Sequence, residues 1–209
     1  MGWQRRAGLL VGAVSAVGLG GWLMRWGAAR AHTMGVAGIT PQTTSRDPAQ
    51  LAPEVITHAD AAGVNQVLLM AILYNESYKP HGALLERAWQ LLHRDSAFGV
   101  ANMHRRTYER TRAERPFAGR AWKQLAHDPD LAVQAAAWHL HDLQARLPHP
   151  TTRSPLTRDE LLAMGYNAGA RNMLRFATGR QPGPRARAYL DRLREHWEPA
   201  RKALEQVGT

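Results

Sequence analysis

Val67-Leu68-Leu69-Met70-Ala71-Ile72-Leu73-Tyr74-Asn75-Glu76-Ser77 is the most apolar run of the chain outside its N-terminus, and it ends abruptly in a carboxylate. Read as a helix, it places Glu76 one turn beyond Ile72 and Leu73, in line with Leu68 and Leu69. The acid then stands at the rim of a buried face, a place that suits a general acid. The plainer reading is a core helix whose last glutamate turns into solvent, because glutamate is seldom buried. The remainder of the sequence decides whether Glu76 has a site around it.

The helix has a clear entry. Leu51, Val55, Ile56 and Ala59 mark one side of a preceding helix from about Pro48 to Ala62, and Gly63 ends it as glycine commonly does. Asn65 caps the next helix, with Val64 outside it as a hydrophobic staple. The pair is an αα-hairpin with Glu76 at its far end.

Beyond Tyr78 comes a short apolar helix candidate, Leu84 to Leu92, then a loop Ser96-Ala97-Phe98-Gly99-Val100-Ala101-Asn102-Met103. A helix resumes from about Met103 to Thr111, and a short one is expected at Ala121 to His127. Asp128-Pro129 opens a longer helix with the acid as cap and proline in the first turn. Its buried stripe is Ala132, Val133, Ala136, Ala137, Leu140 and Leu143. His139 and His141 lie two apart and face different directions, so they read as surface or satisfied residues rather than metal ligands. Thr157-Arg158-Asp159-Glu160 has capping-box spacing and opens a helix ending at Gly165-Tyr166-Asn167-Ala168-Gly169. After Gly179 to Pro184, a last long helix carries Tyr189, Leu190, Leu193, Trp197 and Leu204. No segment alternates as a strand would. The body is mainly α.

The 209 residues suffice for one domain of about 150 residues with tails. With no cysteine, disulfides and thiolate metal sites are excluded. The formal charge is +10; Arg5, Arg6, Arg25 and Arg30 supply four of it, leaving +6 on the rest. A moderately basic body suits nucleic acid, an acidic membrane surface, or a cell-wall glycan with its teichoic or peptide carboxylates. No Gly-rich phosphate loop and no aromatic-basic ribbon is present, which argues against nucleic acid.

At the N-terminus, Arg5 and Arg6 precede 18 uncharged residues, Ala7 to Met24, followed by Arg25. That run is marginal against the about 20 apolar residues a membrane span needs, and five glycines weaken it. Ala29-Arg30-Ala31 loosely fits a cleavage site. Residues 1–31 therefore read as a signal peptide or an N-terminal membrane anchor, and the body as working outside the cytoplasmic membrane. Residues 32–48, rich in Thr, Gly, Pro and Ser, read as a linker, and 49–209 as the folded domain.

Three pieces now line up in order: Glu76-Ser77 ending an apolar helix, Gly99-Val100-Ala101-Asn102 in a loop, and Tyr166-Asn167-Ala168-Gly169 ending a later helix, with Tyr189 following. Together they resemble the soluble lytic transglycosylase-like catalytic domain of the lysozyme-like superfamily. That family carries Glu-Ser, Gly-Leu-Met-Gln and Ala-Tyr-Asn-x-Gly, then a tyrosine in its last helix. The resemblance covers about residues 50–198. It implies a lysozyme-like domain with a cleft between helices, peptidoglycan glycan strands as partner, no cofactor and no metal. A monomer is expected, with membrane contact through residues 7–24 if they are retained. The departures are Ala101 for methionine, Asn102 for glutamine and Gly165 for the common alanine. The 23-residue step from Glu76 to Gly99 is longer than usual, as if Ala83 to Leu92 were inserted.

The resemblance also implies roles. Glu76 would protonate the bond between MurNAc and GlcNAc, then accept a proton from the MurNAc C6 hydroxyl, leaving 1,6-anhydro ends. Ser77 is either a partner of Glu76 or of a substrate amide, or merely a polar helix end. Tyr166 either orients Glu76 through its hydroxyl or is a core tyrosine. Asn167 is expected to tie the helix end through backbone bonds, and Tyr189 to pack with a polar handle. Gly99 is expected where backbone is tight, and Asn102 to offer its amide to the sugar. Losing the methionine at Ala101 is expected to remove apolar contact with the sugar. A hydrolase would need a second carboxylate to activate water; Asp95 and then Glu86 are the candidates, each with surface charge as the plainer reading. The alternatives are thus a lysozyme-type muramidase and a wall-binding domain with little activity.

Overall fold

The Asn65 carboxamide starts the central helix as expected. Its Oδ1 accepts from the Val67 N–H at 2.9 Å and the Leu68 N–H at 3.3 Å. The helix runs Gln66–Ser77 and follows a first helix, Ala52–Ala62; we call these α2 and α1. Gly63 joins them at φ +64°, the left-handed conformation glycine adopts without strain. In the computed structural model, residues 47–77, 97–148 and 154–207 are described, all belonging to one unit that spans 42–209. The leader or anchor at 1–31, nearly all of the linker, the helix candidate at 84–92 with Glu86, and Asp95 lie outside the described residues.

Helix α2 is buried on every side. Leu68, Leu69, Met70, Ala71, Ile72 and Leu73 are wholly inaccessible, and Asn75 and Glu76 are buried as well. A helix with no polar face can only be central. It packs most extensively on the last helix, Pro184–Glu205, and also on α1, Pro129–Arg146 and Arg158–Ala168. Each fully buried leucine contributes about 1.5–3 kcal/mol relative to exposure.

The other elements are β1 (Ala97–Phe98), β2 (Met103–His104), α3 (Arg105–Thr111), α4 (Pro129–Arg146), α5 (Arg158–Ala168), α6 (Ala170–Ala177) and α7 (Pro184–Glu205). Two 3-10 turns, Pro48–Leu51 and Trp122–Ala126, complete those among the described residues. Asp128 caps α4 by accepting from the Leu131 N–H at 2.9 Å. The capping box of α5 is formed on both sides, Glu160 N–H to Thr157 Oγ1 and Thr157 N–H to Glu160 Oε2. No helix among the described residues is long and apolar enough to cross a membrane.

Several expectations change. The first helix does not run unbroken from Pro48, because Pro53 has no N–H to donate back into that stretch, and the α-helix starts at Ala52. Met103 and His104 are not helical: they pair antiparallel with Phe98 and Ala97, enclosing Gly99–Asn102 in a tight hairpin. Two residues per strand are too few for an alternation to register. The chain after Gly169 also holds a helix, α6, not expected from sequence; only Met173, Phe176 and Ala177 of its eight residues are buried. Gly165, where alanine was the common choice, has its would-be Cβ space filled by Met173 Sδ at 2.7 Å and Leu143 Cδ2 at 3.2 Å.

Candidate active site

Glu76 occupies the last turn of α2 and is 8% exposed. A buried carboxylate needs donors, and Asn102 supplies one: its Nδ2 donates to Glu76 Oε2 at 2.8 Å. The Asn102 amide, expected to face the sugar, therefore meets the acid itself. Its backbone is left-handed, at φ +46°, and its N–H donates to Gly99 O at 3.0 Å to close the hairpin. Asparagine is the side-chain-bearing residue that best tolerates this conformation.

The hairpin is clamped from two sides. Gly99 is also left-handed, at φ +75°, and a Cβ there would meet Leu125 O at 2.5 Å and Ala132 Cβ at 3.0 Å. The close approach is to the Trp122–Ala126 turn and to α4. On the same side, Trp122 Nε1 donates to Met103 O at 3.1 Å, and the Trp122 and Phe98 rings pack 4.2 Å apart. From the other side, the Tyr166 hydroxyl of α5 donates to Ala101 O at 2.7 Å. A phenol has one proton to give, so Tyr166 fixes the hairpin that carries Asn102 and does not donate to Glu76. Ala101 itself is wholly buried, so its side chain cannot touch a sugar. What it contributes is the carbonyl.

Tyr189, on α7, is buried, and its hydroxyl makes no well-aligned hydrogen bond, though it lies near both Glu76 and Asn75. Burial first, and the Glu76 charge second, hold the Tyr166 and Tyr189 phenols well above their ordinary range. Both stay neutral at any working pH. Asn75 anchors the end of α2 to α7, donating from Nδ2 to Tyr189 O at 3.1 Å and accepting from Arg192 Nε at 3.1 Å.

For Ser77 one of its two alternatives holds, and the expectations for Asn167 and His139 are revised. Ser77 donates back to Leu73 O at 2.7 Å, the helix-end role. Asn167 is exposed and makes no side-chain bond among the described residues; the helix end is tied by Asn172, which donates to Ala168 O at 2.9 Å. His139 is neither superficial nor satisfied. It is buried, its Nδ1 has no partner, and its ring lies 5.4 Å from that of Tyr166. Burial, helped by the charges of Arg110 and Arg146, lowers its pKa to about 4, so it is neutral at neutral pH. His141 Nδ1 is bonded to Ala62 O at 2.8 Å. No cluster of His, Asp or Glu among the described residues is arranged to hold a metal ion.

Glu76, Asn102, Gly99 and Tyr166, singled out in the sequence, are brought together by the fold, whereas Asn75 and His139 beside them were passed over. Asn75 beside Glu76 in an otherwise apolar run was the available signal for the first. For His139 the signal was its position among the alanines of the α4 stripe.

The family model described as the Transglycosylase SLT domain matches residues 53–186, a span that holds Glu76, the Gly99–Asn102 turn and Tyr166. Tyr189 lies just beyond it. No curated protein matches the chain.

Proposed function

We propose, from the premise that this chain belongs to the transglycosylase SLT domain family, that it cleaves the MurNAc–GlcNAc bond of peptidoglycan without water, using Glu76 as acid and then as base. The observation that carries this reading is the buried Glu76 carboxyl bonded to Asn102, with the neutral phenols of Tyr166 and Tyr189 within reach of its charge. Protonated Glu76 gives its proton to the glycosidic oxygen as the bond to MurNAc C1 breaks, and GlcNAc leaves with a free hydroxyl. The N-acetyl group of MurNAc supports the positive charge at C1. The Glu76 carboxylate then takes the C6 hydroxyl proton, and that oxygen closes on C1. The acid is regenerated, and the sugar ends as the 1,6-anhydro form.

Asn102 keeps the carboxyl plane fixed through both proton transfers, and Tyr166 keeps Asn102 in place through Ala101. The substrate lies outside the cytoplasmic membrane, and the basic-apolar pattern of residues 1–31 supports export or anchoring there. The test is digestion of purified peptidoglycan with the products weighed. Products one water lighter than reducing muropeptides support the reading. Reducing ends would make the protein a muramidase, and no product would make it a wall-binding domain.

A further inference from the structure

The arginines of this chain divide by partner. Arg112, Arg115, Arg120, Arg194 and Arg201 each meet a carboxylate, and Arg192 meets Asn75. Arg110, Arg146, Arg171 and Arg175 meet none among the described residues. Other exposed arginines, such as Arg105 and Arg187, also lack one, so want of a partner singles out nothing by itself. Concavity does. Arg146, Arg171 and Arg175 line a groove of about 820 Å³ together with Leu174, which is 38% exposed. Arg110, Arg146 and Thr111 line a second of about 340 Å³. Arg146 lines both. The single carboxylate in the second groove, Asp142, is already held by Arg115 at 2.9 Å.

Helix ends explain part of this. Arg110, Arg146 and Arg175 sit in the last turns of α3, α4 and α6, where a cation complements the helix dipole. Arg171 does not fit that account. It sits in the first turn of α6, where a positive charge opposes the dipole, and no acid compensates it. Thr111 is a second anomaly: it is 1% exposed, lines the smaller groove, and its Oγ1 has no partner. The charges of Arg110 and Arg146 reach the buried His139, whose ring lies 5.4 Å from that of Tyr166.

We propose that these two grooves form one binding site for a carboxylate-bearing peptide, separate from Glu76, with Arg146 as its shared anchor. The guanidinium fork matches carboxylates in pairs of parallel bonds, and the exposed Leu174 offers apolar contact that a bare polyanion would not use. The inference rests on the proposed function in one respect: the peptide is then the stem carried by the sugar strand being cut.

Two readouts test it with the full chain. In the first, a fluorescently labelled synthetic stem peptide is titrated with wild-type protein, Arg146→Ala/Arg171→Ala, and Arg146→Lys/Arg171→Lys. All substituted positions are exposed, and melting curves confirm that the variants fold. The alanine pair should bind about tenfold more weakly, with the lysine pair between, since lysine keeps the charge and loses the fork. Equal Kd values overturn the proposal, as does tighter binding of poly(glycerol phosphate), which would assign the grooves to a phosphodiester polymer. In the second, product release is compared on peptidoglycan and on glycan strands stripped of stems by an amidase. The alanine pair should lose kcat/KM about tenfold on the first and nothing on the second. Equal losses on both overturn the proposal. If the wild type releases nothing from either, the proposed function fails, while the titration still decides this site.

Discussion

At Glu76 the decisive contact is the 2.8 Å bond from Asn102, and the two demands on Asn102 can be separated by substitution. Asn102→Gly keeps the left-handed backbone without strain and removes the amide, so kcat should fall about tenfold or more, and stability by about the 1–3 kcal/mol of a buried carboxylate's lost donor. Asn102→Ala removes the amide and strains the backbone, so both melting temperature and kcat should fall. If the glycine variant retained full activity, the amide would be irrelevant to the acid. Tyr166→Phe leaves Ala101 O without its donor; a loss of about 1–3 kcal/mol in stability is expected by denaturant titration, with kcat falling and KM little changed. At this scale the sequence was readable where a residue type is chemically committed, as with Glu76 and Tyr166. It was not readable where the function is a direction. Whether a tyrosine hydroxyl reaches a carboxylate or a carbonyl depends on an ångström or two, which no residue pattern encodes.

The hairpin is the element on which the site depends, since Asn102 reaches Glu76 only if Gly99 lets the turn close against the Trp122–Ala126 backbone. Gly99→Ala would place a methyl 2.5 Å from Leu125 O in a left-handed backbone. The expected cost exceeds the about 1 kcal/mol of the backbone effect alone, read as a fall in melting temperature, with activity lost because the hairpin shifts. A variant that melts and cleaves like the wild type would show that the clamp is not needed. The helices were legible because capping, glycine stops and apolar stripes are local signals: Asn65, Gly63 and the Thr157–Glu160 box act as read. The hairpin and α6 were not, the first being too short for a period and the second having only three buried residues. Their conformations are set by what they pack on.

Across the whole molecule, the buried neutral His139 ties stability to pH. Its pKa is about 4 in the folded chain against about 6.5 when exposed, so between these values the unfolded state binds more protons. Stability therefore rises with pH through that window, is fully present above about 6.5, and is lost as pH falls toward about 4. The contribution is about 3 kcal/mol, and His139→Leu should flatten that part of the melting-versus-pH curve relative to wild type. An unchanged slope would mean that His139 is solvated in the folded state. The mainly α architecture around one fully apolar helix was legible in that helix alone, whereas the arginine grooves join residues from α3, α4 and α6 that only the tertiary fold brings together. If Glu76 closes an anhydro ring without water, digestion of peptidoglycan in water labelled with heavy oxygen leaves its products unlabelled. Anhydro ends that carry no label are expected from wild-type protein, and none from a folded Glu76→Gln variant. Label at new reducing ends, or undiminished cleavage by Glu76→Gln, would contradict that closure.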